Sequence, residues 1–309
     1  MAMKRMIAGL AAALALVLMA GTTPAAEAQE RVTLGWGRLL TNDIIGDGRD
    51  RWRTGSYTLS RVRGVDWTGT LPATPGEILE FRFRGEVISP ADLVTPDPAD
   101  RRYAGALSFG LHTHFATAGL ENSVGLDVVV TGPQTRLGNL HRDLHDMLGM
   151  PDVAVLGNQI GNAAHPTLVA ETARTLTMGQ MRLRPFAELQ AGAETLVRIG
   201  GDLEFGGASR GALMLRDGVT GQRYRAVAGD RAPGFSLSLG GDMAHVFDSA
   251  YFPAGGAATL SDSRSRLRAG LHWQGSASEV FYGVTWLGRE FEQQDEGQVL
   301  GSVSLRLNF

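Results

Sequence analysis

The chain has 309 residues, 41 of them glycine, no cysteine, and a formal net charge of −3. Without cysteine, an exported chain of this length has no disulfide framework to rely on. A charge so small and so mixed in sign argues against a nucleic-acid partner. Lysine occurs only at Lys4.

The first segment reads as a secretory signal. Lys4 and Arg5 form a basic start, Ile7 to Ala20 an apolar core, and Ala26-Glu27-Ala28 a small-x-small cleavage pattern. This predicts a signal peptide over 1–28 and a mature domain over 29–309. A retained anchor is the alternative, but the apolar run is shorter than the ~20 residues a spanning helix needs.

The mature chain alternates apolar and polar residues in short stretches. The clearest is ILEFRFRGEV, where Leu79, Phe81, Phe83 and Val87 share one face and Glu80, Arg82, Arg84 and Glu86 the other. Leu107, Phe109, Leu111 and Phe115 stand opposite Ser108, His112 and His114. Leu183, Ala187 and Leu189 stand opposite Arg182, Arg184, Glu188 and Gln190. Later stretches turn Arg198, Asp202, Glu204, Arg268 and His272 to the polar side. Lipid outside and a polar lumen inside demand this dyad, and only a closed barrel satisfies every backbone group in a bilayer. About twelve such segments of ~10 residues suit an even-stranded barrel. They begin at Arg31, Thr54, Glu77, Tyr103, Asn122, Pro166, Met181, Leu196, Phe235, Ser265, Glu279 and Val299. The second and sixth alternate least well. The predicted fold is therefore an all-β, transmembrane antiparallel β-barrel. The last segment alternates and ends on Phe309. It resembles the assembly signal of bacterial outer-membrane barrels, which implies the barrel-assembly machinery as a partner.

With both ends in the periplasm, the connections near 40–53, 89–102 and 131–165 face outward. Residues 206–231 then form a periplasmic connection far longer than the short turns usual there. The third outward connection breaks the dyad. Leu137, Leu140, Leu144, Met147 and Leu148 recur at helical spacing, opened by Gly132-Pro133 and closed by Gly149 and Pro151. This predicts a short helix in an extracellular loop, with His141 and His145 four apart on one face.

The three outward connections carry Asn42, Asp43, Asp47, Asp50, Arg51, Thr54 and Gly55, then Asp100-Arg101-Arg102-Tyr103-Ala104-Gly105, then Gly132-Pro133, His145, Gly149, Asn158 and Gln159. These supply a general base, oxygen ligands and hydrogen-bond donors, the parts of a hydrolase that uses water as nucleophile. The order ND…DR…TG, DR-x-YAG, GP…H-x-x-x-G…NQ resembles the LpxR-type lipid A 3′-O-deacylase family over essentially the whole mature chain, including Arg289-Glu290-Phe291. The resemblance implies an outer-membrane barrel of twelve strands and calcium-dependent removal of a 3′-acyloxyacyl group from lipid A. It implies lipopolysaccharide as substrate, and Asn42, Asp43, Thr54 and His145 as active-site residues. Asp43 is the expected calcium ligand, His145 the expected base, and Asn42 and Thr54 would position water or the oxyanion. Arg53 stands where the family pattern has a tyrosine. The second connection lacks a lysine, for which Arg101 or Arg102 would substitute.

Other readings compete. A histidine pair four apart also suits zinc, but no Glu follows the first histidine as in HExxH. His112 and His114 read as a solvated luminal lining. Asp47 and Asp50 lack the EF-hand spacing and its closing Glu. Trp36, Trp273 and Trp286 read as girdle aromatics. A non-catalytic barrel, narrow pore or structural, would not depend on His145. An outer-membrane phospholipase of the Ser-His type would need a serine beside the histidine, with Ser56 and Ser108 the candidates by position.

Overall fold

A computed structural model of the chain describes residues 30–229, 233–276 and 278–307. The signal peptide expected over 1–28 and the terminal Phe309 lie outside them. From Val32 onward the chain forms β1 (Val32–Asn42), β2 (Gly55–Gly64), β3 (Ile78–Ile88), β4 (Ala104–Thr117), β5 (Leu120–Thr131), the helix α1 (Leu137–Leu148) and β6 (Ala163–Ala173). It continues through β7 (Leu176–Met178), β8 (Met181–Ala191), β9 (Glu194–Phe205), β10 (Leu213–Arg216) and β11 (Arg223–Val227). The last four strands are β12 (Gly234–Ser249), β13 (Ser263–Gln274), β14 (Ser278–Leu287) and β15 (Gln298–Leu307).

Thirteen strands share one sheet, and β7 is a three-residue strip alongside β8, so twelve build the wall. Neighbours are antiparallel throughout. Leu40 opposite Val303 joins β1 to β15, and Leu168 opposite Ala191 joins β6 to β8, which closes the barrel. Every expected strand is present, and each start lies within three residues of its predicted position. Thr54 and Pro166, the weakest starts, correspond to β2 and β6.

The dyad sorts as expected. Phe81, Phe109, Leu111, Leu126, Leu267 and Leu305 are exposed on the outer face. Their polar neighbours are buried in the lumen, where Arg198, Arg266 and Arg268 converge on Asp242. His112 and His114 face the lumen as expected and border its cavity, but each is also paired. Both are buried, 2.7 Å from Asp127 and 2.8 Å from Glu80 respectively. Carboxylates on the neighbouring strands meet both rings, which satisfies buried polar groups in pairs.

The long connection after β9 has a structural explanation. Strands β10 and β11 form a hairpin packed against the inner wall. Leu213, Leu215, Tyr224, Ala226 and Val227 make a small core with Leu39, Val62, Ile78 and Phe281. Gly35 and Gly37 of β1 permit the approach. A Cβ on Gly35 would stand 2.2 Å from the Ala226 carbonyl oxygen, and one on Gly37 would stand 2.8 Å from the Tyr224 ring. The Tyr224 hydroxyl meets Ser60 at 2.9 Å, and Gln222 donates to the carbonyls of Ala269 and Val284, each at 3.1 Å. What the sequence presents as an overlong periplasmic loop is a plug. A cavity of about 570 Å³ remains beside it, lined by Arg82, His112, Glu171, Arg184 and Asp202 among others. No helix among the described residues is long and apolar enough to cross a membrane.

Candidate active site

The connections after β1, β3, β5, β12 and β14 gather at one rim of the barrel. β1 ends on Asn42, whose side chain fastens the turn. Its Nδ2 donates to the Thr54 carbonyl at 3.1 Å, and its Oδ1 accepts from the Ile44 amide at 2.8 Å. Asp43 follows and is fully buried. Its amide donates to the Thr54 carbonyl at 3.0 Å, and its own carbonyl accepts from Gly46 and Gly48. Its Oδ2 accepts from the Arg51 amide at 2.8 Å, while Oδ1 is buried with no hydrogen-bond partner. Burial pushes this carboxyl up to about 8; the Arg51 amide works against that shift, and Asp50 and Asp47 add to it.

The stretch from Asp50 to Thr54 is held tautly. Trp52 takes a left-handed backbone, φ 48°, unusual for a large residue. Its ring packs edge-on to Phe291, 6.5 Å between centroids, with Arg51 over it at 4.4 Å. Arg51 pairs with Asp47 at 3.0 Å and Glu296 at 2.7 Å. Arg53 turns into the lumen, where it binds Glu86 and, at 2.8 Å, Glu290. The arginine in place of a tyrosine therefore anchors the turn from below. Thr54 stays beside Asn42 and Asp43, its hydroxyl 2.9 Å from that of Ser89.

Arg101 is likewise structural. It is buried, 2.5 Å from Glu290, and stacks over Phe252. Arg102 is exposed and is the available cation of that pair.

The helix α1 supplies the histidines. Gly149, φ 65°, ends it in the left-handed conformation, and Gly138 lets it approach Leu156 and Tyr103 closely. The spacing puts His141 and His145 on one face without saying what that face meets. The structure buries both, because they face inward from a helix laid against the rim. Two glycines of the barrel's outer face receive the helix start: a Cβ on Gly105 would stand 3.0 Å from the Leu137 Cβ, and one on Gly85 would stand 4.0 Å from the Leu137 Cδ2. The polar side of α1 thus turns inward. Leu140, Leu144, Met147 and Leu148 are exposed, by 41 to 72%.

Three groups converge beneath α1. His145 Nε2 lies 2.7 Å from Asp50 Oδ2, and His141 Nε2 lies 3.2 Å from the same oxygen. His145 Nδ1 is 2.6 Å from the Pro151 carbonyl, to which it must donate, so Nε2 is the nitrogen left for proton transfer. The Tyr103 hydroxyl lies 3.3 Å from His141 Nδ1, with the two rings stacked. Burial raises the Asp50 carboxyl, but the bond from His141, the nearby Thr54 and the charge of both histidines outweigh it, leaving Asp50 below its ordinary range.

The structure therefore groups Asn42, Asp43 and Thr54 at the β1–β2 turn. It sets His145 against Asp50, seven residues along the same turn from Asp43. Sequence reasoning missed Asp50 as the partner of His145, and Tyr103 behind His141. Both lie in the motifs DR and DR-x-YAG, so the signal was present without a pairing. Ser56 and Ser108 are buried on lumen-facing strand positions, and neither bonds to His141 or His145 among the described residues.

A closed barrel with an apolar outer girdle, a charged lumen and a polar site at one rim defines an outer-membrane barrel. The chain belongs to the family of the outer membrane protein LpxR, whose family model matches residues 10–309. Among solved structures it is similar to LpxR from Salmonella typhimurium, with a TM-score of 0.75 at 15% identity, covering 89% of this chain and 100% of that one. The β domain of the Bordetella autotransporter BrkA gives a TM-score of 0.40 at 11% identity, over 89% of this chain and 99% of that one. The translocator domain of NalP from Neisseria meningitidis gives 0.40 at 11% identity, over 99% and 98%. These last two are too distant to carry an argument. No curated protein sequence matches the chain.

Proposed function

We propose that the protein is a calcium-dependent hydrolase of lipid A that removes the 3′-acyloxyacyl group in the outer leaflet of the outer membrane. Family membership supports the lipid A deacylase reading in general. The observation that carries the chemistry is the His145–Asp50 pair, oriented by the Pro151 carbonyl, on the same turn as a buried carboxylate oxygen of Asp43 that has no partner. In this reading water takes the place of Asp50 Oδ2 at His145 Nε2 and gives up a proton to it, and Asp50, displaced but adjacent, stabilises the imidazolium that results. The hydroxide adds to the ester carbonyl carbon. On collapse the ester C–O bond breaks, and the proton on His145 passes to the departing alkoxide, leaving a free acid and an alcohol.

The residues fit a hard cation. An oxygen ligand buried without a partner, among Asp47 and Asp50, favours calcium over softer ions. Asp43 would hold it, and calcium so held would supply charge stabilisation for the oxyanion. Asn42 and Thr54 frame the same turn. The apolar outer side of α1, continuous with the outer wall at Gly85 and Gly105, suits a substrate whose acyl chains stay in the bilayer. The plug argues against a passive pore, because it occupies the lumen that conduction would need.

The test is fatty-acid release by the purified, full-length protein in detergent, given lipid A or a glycerophospholipid, with calcium and with excess chelator. Release from lipid A that stops in chelator and returns with calcium is expected. Release that persists in chelator would refute the calcium dependence, and release from the glycerophospholipid alone would favour a phospholipase.

A further inference from the structure

The three atoms beneath α1 raise a question of charge that hydrolysis alone does not answer. Nδ1 of His145 donates to Pro151, so the neutral ring carries its lone pair on Nε2. That lone pair faces a carboxylate oxygen at 2.7 Å, and the same oxygen faces a second imidazole nitrogen at 3.2 Å. Oxygen and nitrogen lone pairs this close need a cation between them, either a proton or a metal ion. Asp50 Oδ1 is buried and has no hydrogen-bond partner. The ligand atoms of Asp50, His141 and His145 all lie within 4.8 Å of one another.

We infer that Asp50 Oδ2, His141 Nε2 and His145 Nε2 form a binding site for a borderline divalent transition metal, with Zn²⁺ as its probe, and that occupancy silences hydrolysis by engaging the lone pair of His145. Four features support a built site. Two histidines four apart on a helix present both rings to one point. Each ring's other nitrogen meets an oxygen that fixes its orientation, the Pro151 carbonyl for His145 and the Tyr103 hydroxyl for His141, which is the outer-shell arrangement metal-binding histidines show. The donor set of two imidazoles and one carboxylate leaves a fourth position for water. Bonds of ~2.0–2.1 Å in tetrahedral geometry spread ligands to ~3.3 Å, so the pair at 2.7 Å must open by about 0.6 Å and any pair toward the 4.8 Å limit must close.

The two cation sites differ in kind. Asp43 offers oxygen alone, suited to calcium, while the trio offers nitrogen, which ranks zinc far above calcium. Zinc would thus act as an inhibitor that calcium does not displace. This inhibition rests on His145 being the base; the binding does not.

The test uses the full-length protein in detergent, stripped of metal and titrated with Zn²⁺ against a chromophoric chelator. One Zn²⁺ per chain is expected. His141→Ala and Asp50→Asn should each weaken binding by at least the ~10–100-fold that outer-shell changes cost. Heat-modifiable migration on gels shows that each variant is folded. His141→Ala should keep the wild-type calcium affinity, and X-ray absorption on the zinc protein should show two imidazoles. In the calcium-saturated assay Zn²⁺ should lower lipid A hydrolysis. Its half-inhibiting concentration should rise in His141→Ala by the same factor as the loss of affinity. No stoichiometric zinc, or equal affinity in folded His141→Ala, would overturn the site. Bound zinc with undiminished or increased hydrolysis would overturn the inhibition. Zinc binding as expected, with no hydrolysis under any condition, would leave the site standing and sink the hydrolase reading instead.

Discussion

Asp43 is the residue on which the calcium proposal rests. A carboxyl at the end of a strand, fully buried and with one oxygen orphaned, costs free energy whether it is charged or neutral. Burial, first among the causes, holds it protonated up to about 8. On the calcium proposal, the ion must displace that proton below this pH. Apparent calcium affinity should therefore rise about tenfold per pH unit up to about 8 and level off above it. Affinity that is flat from pH 6 to 9 would count against Asp43 as ligand. Asp43→Asn keeps the shape and removes the charge. It should weaken calcium binding by ~10-fold or more, since ligand charge tunes such sites over orders of magnitude. Isothermal titration of the two proteins reads the difference directly. At this scale the sequence singled out residues but was weak about their pairing. Asn42, Asp43, Thr54 and His145 stood out in ordered motifs. That Asp50 meets both histidines depends on how a loop folds over the rim, which no spacing encodes.

At the scale of elements, α1 shows what periodicity can and cannot say. The spacing of Leu137, Leu140, Leu144, Met147 and Leu148, with Gly149 beyond, placed the helix correctly. It could not say which medium the apolar face meets. In a soluble protein that face would be core; here it is the exposed one, and the histidine face is buried. The physical reason is that lipid, not protein, is the apolar phase around a barrel. Leu144→Glu should therefore leave the barrel and its calcium affinity intact. A carboxylate there is costly against hydrocarbon, by up to ~2–3 kcal/mol at depth, so hydrolysis of lipid A in bilayers should fall several-fold or more. Unchanged turnover in bilayers would mean that α1 does not meet the lipid. The β10–β11 hairpin was missed for a related reason. Its strands are four and five residues long and buried on most positions, so they show no dyad to read.

The whole molecule was the most legible level, because a bilayer outside and a polar lumen inside impose one pattern on every wall strand. Twelve strands were expected and twelve form the wall. The lumen's state was not legible, since alternation marks residues as inward without saying what fills the inside. The plug occupies part of it, packed on Gly35 and Gly37, and leaves the cavity beside it. The wild-type protein should pass almost no current in planar bilayers, whereas replacing residues 210–228 with a short turn should leave a heat-modifiable barrel that conducts steadily. Porin-like current from the intact protein would contradict the plug. The central claim joins all three scales: a rim site, assembled on a closed barrel, whose base is His145. Mass spectrometry of lipid A tests it most directly, in cells carrying no copy, the wild-type chain, or His145→Ala at matched surface levels. Wild type should yield lipid A lacking its 3′-acyloxyacyl group. His145→Ala should lower that conversion by ~10²-fold or more, the scale of lost acid–base catalysis, to near the level of cells without the protein. Lipid A that is unchanged by the wild-type chain, or equally deacylated by His145→Ala, would contradict the account.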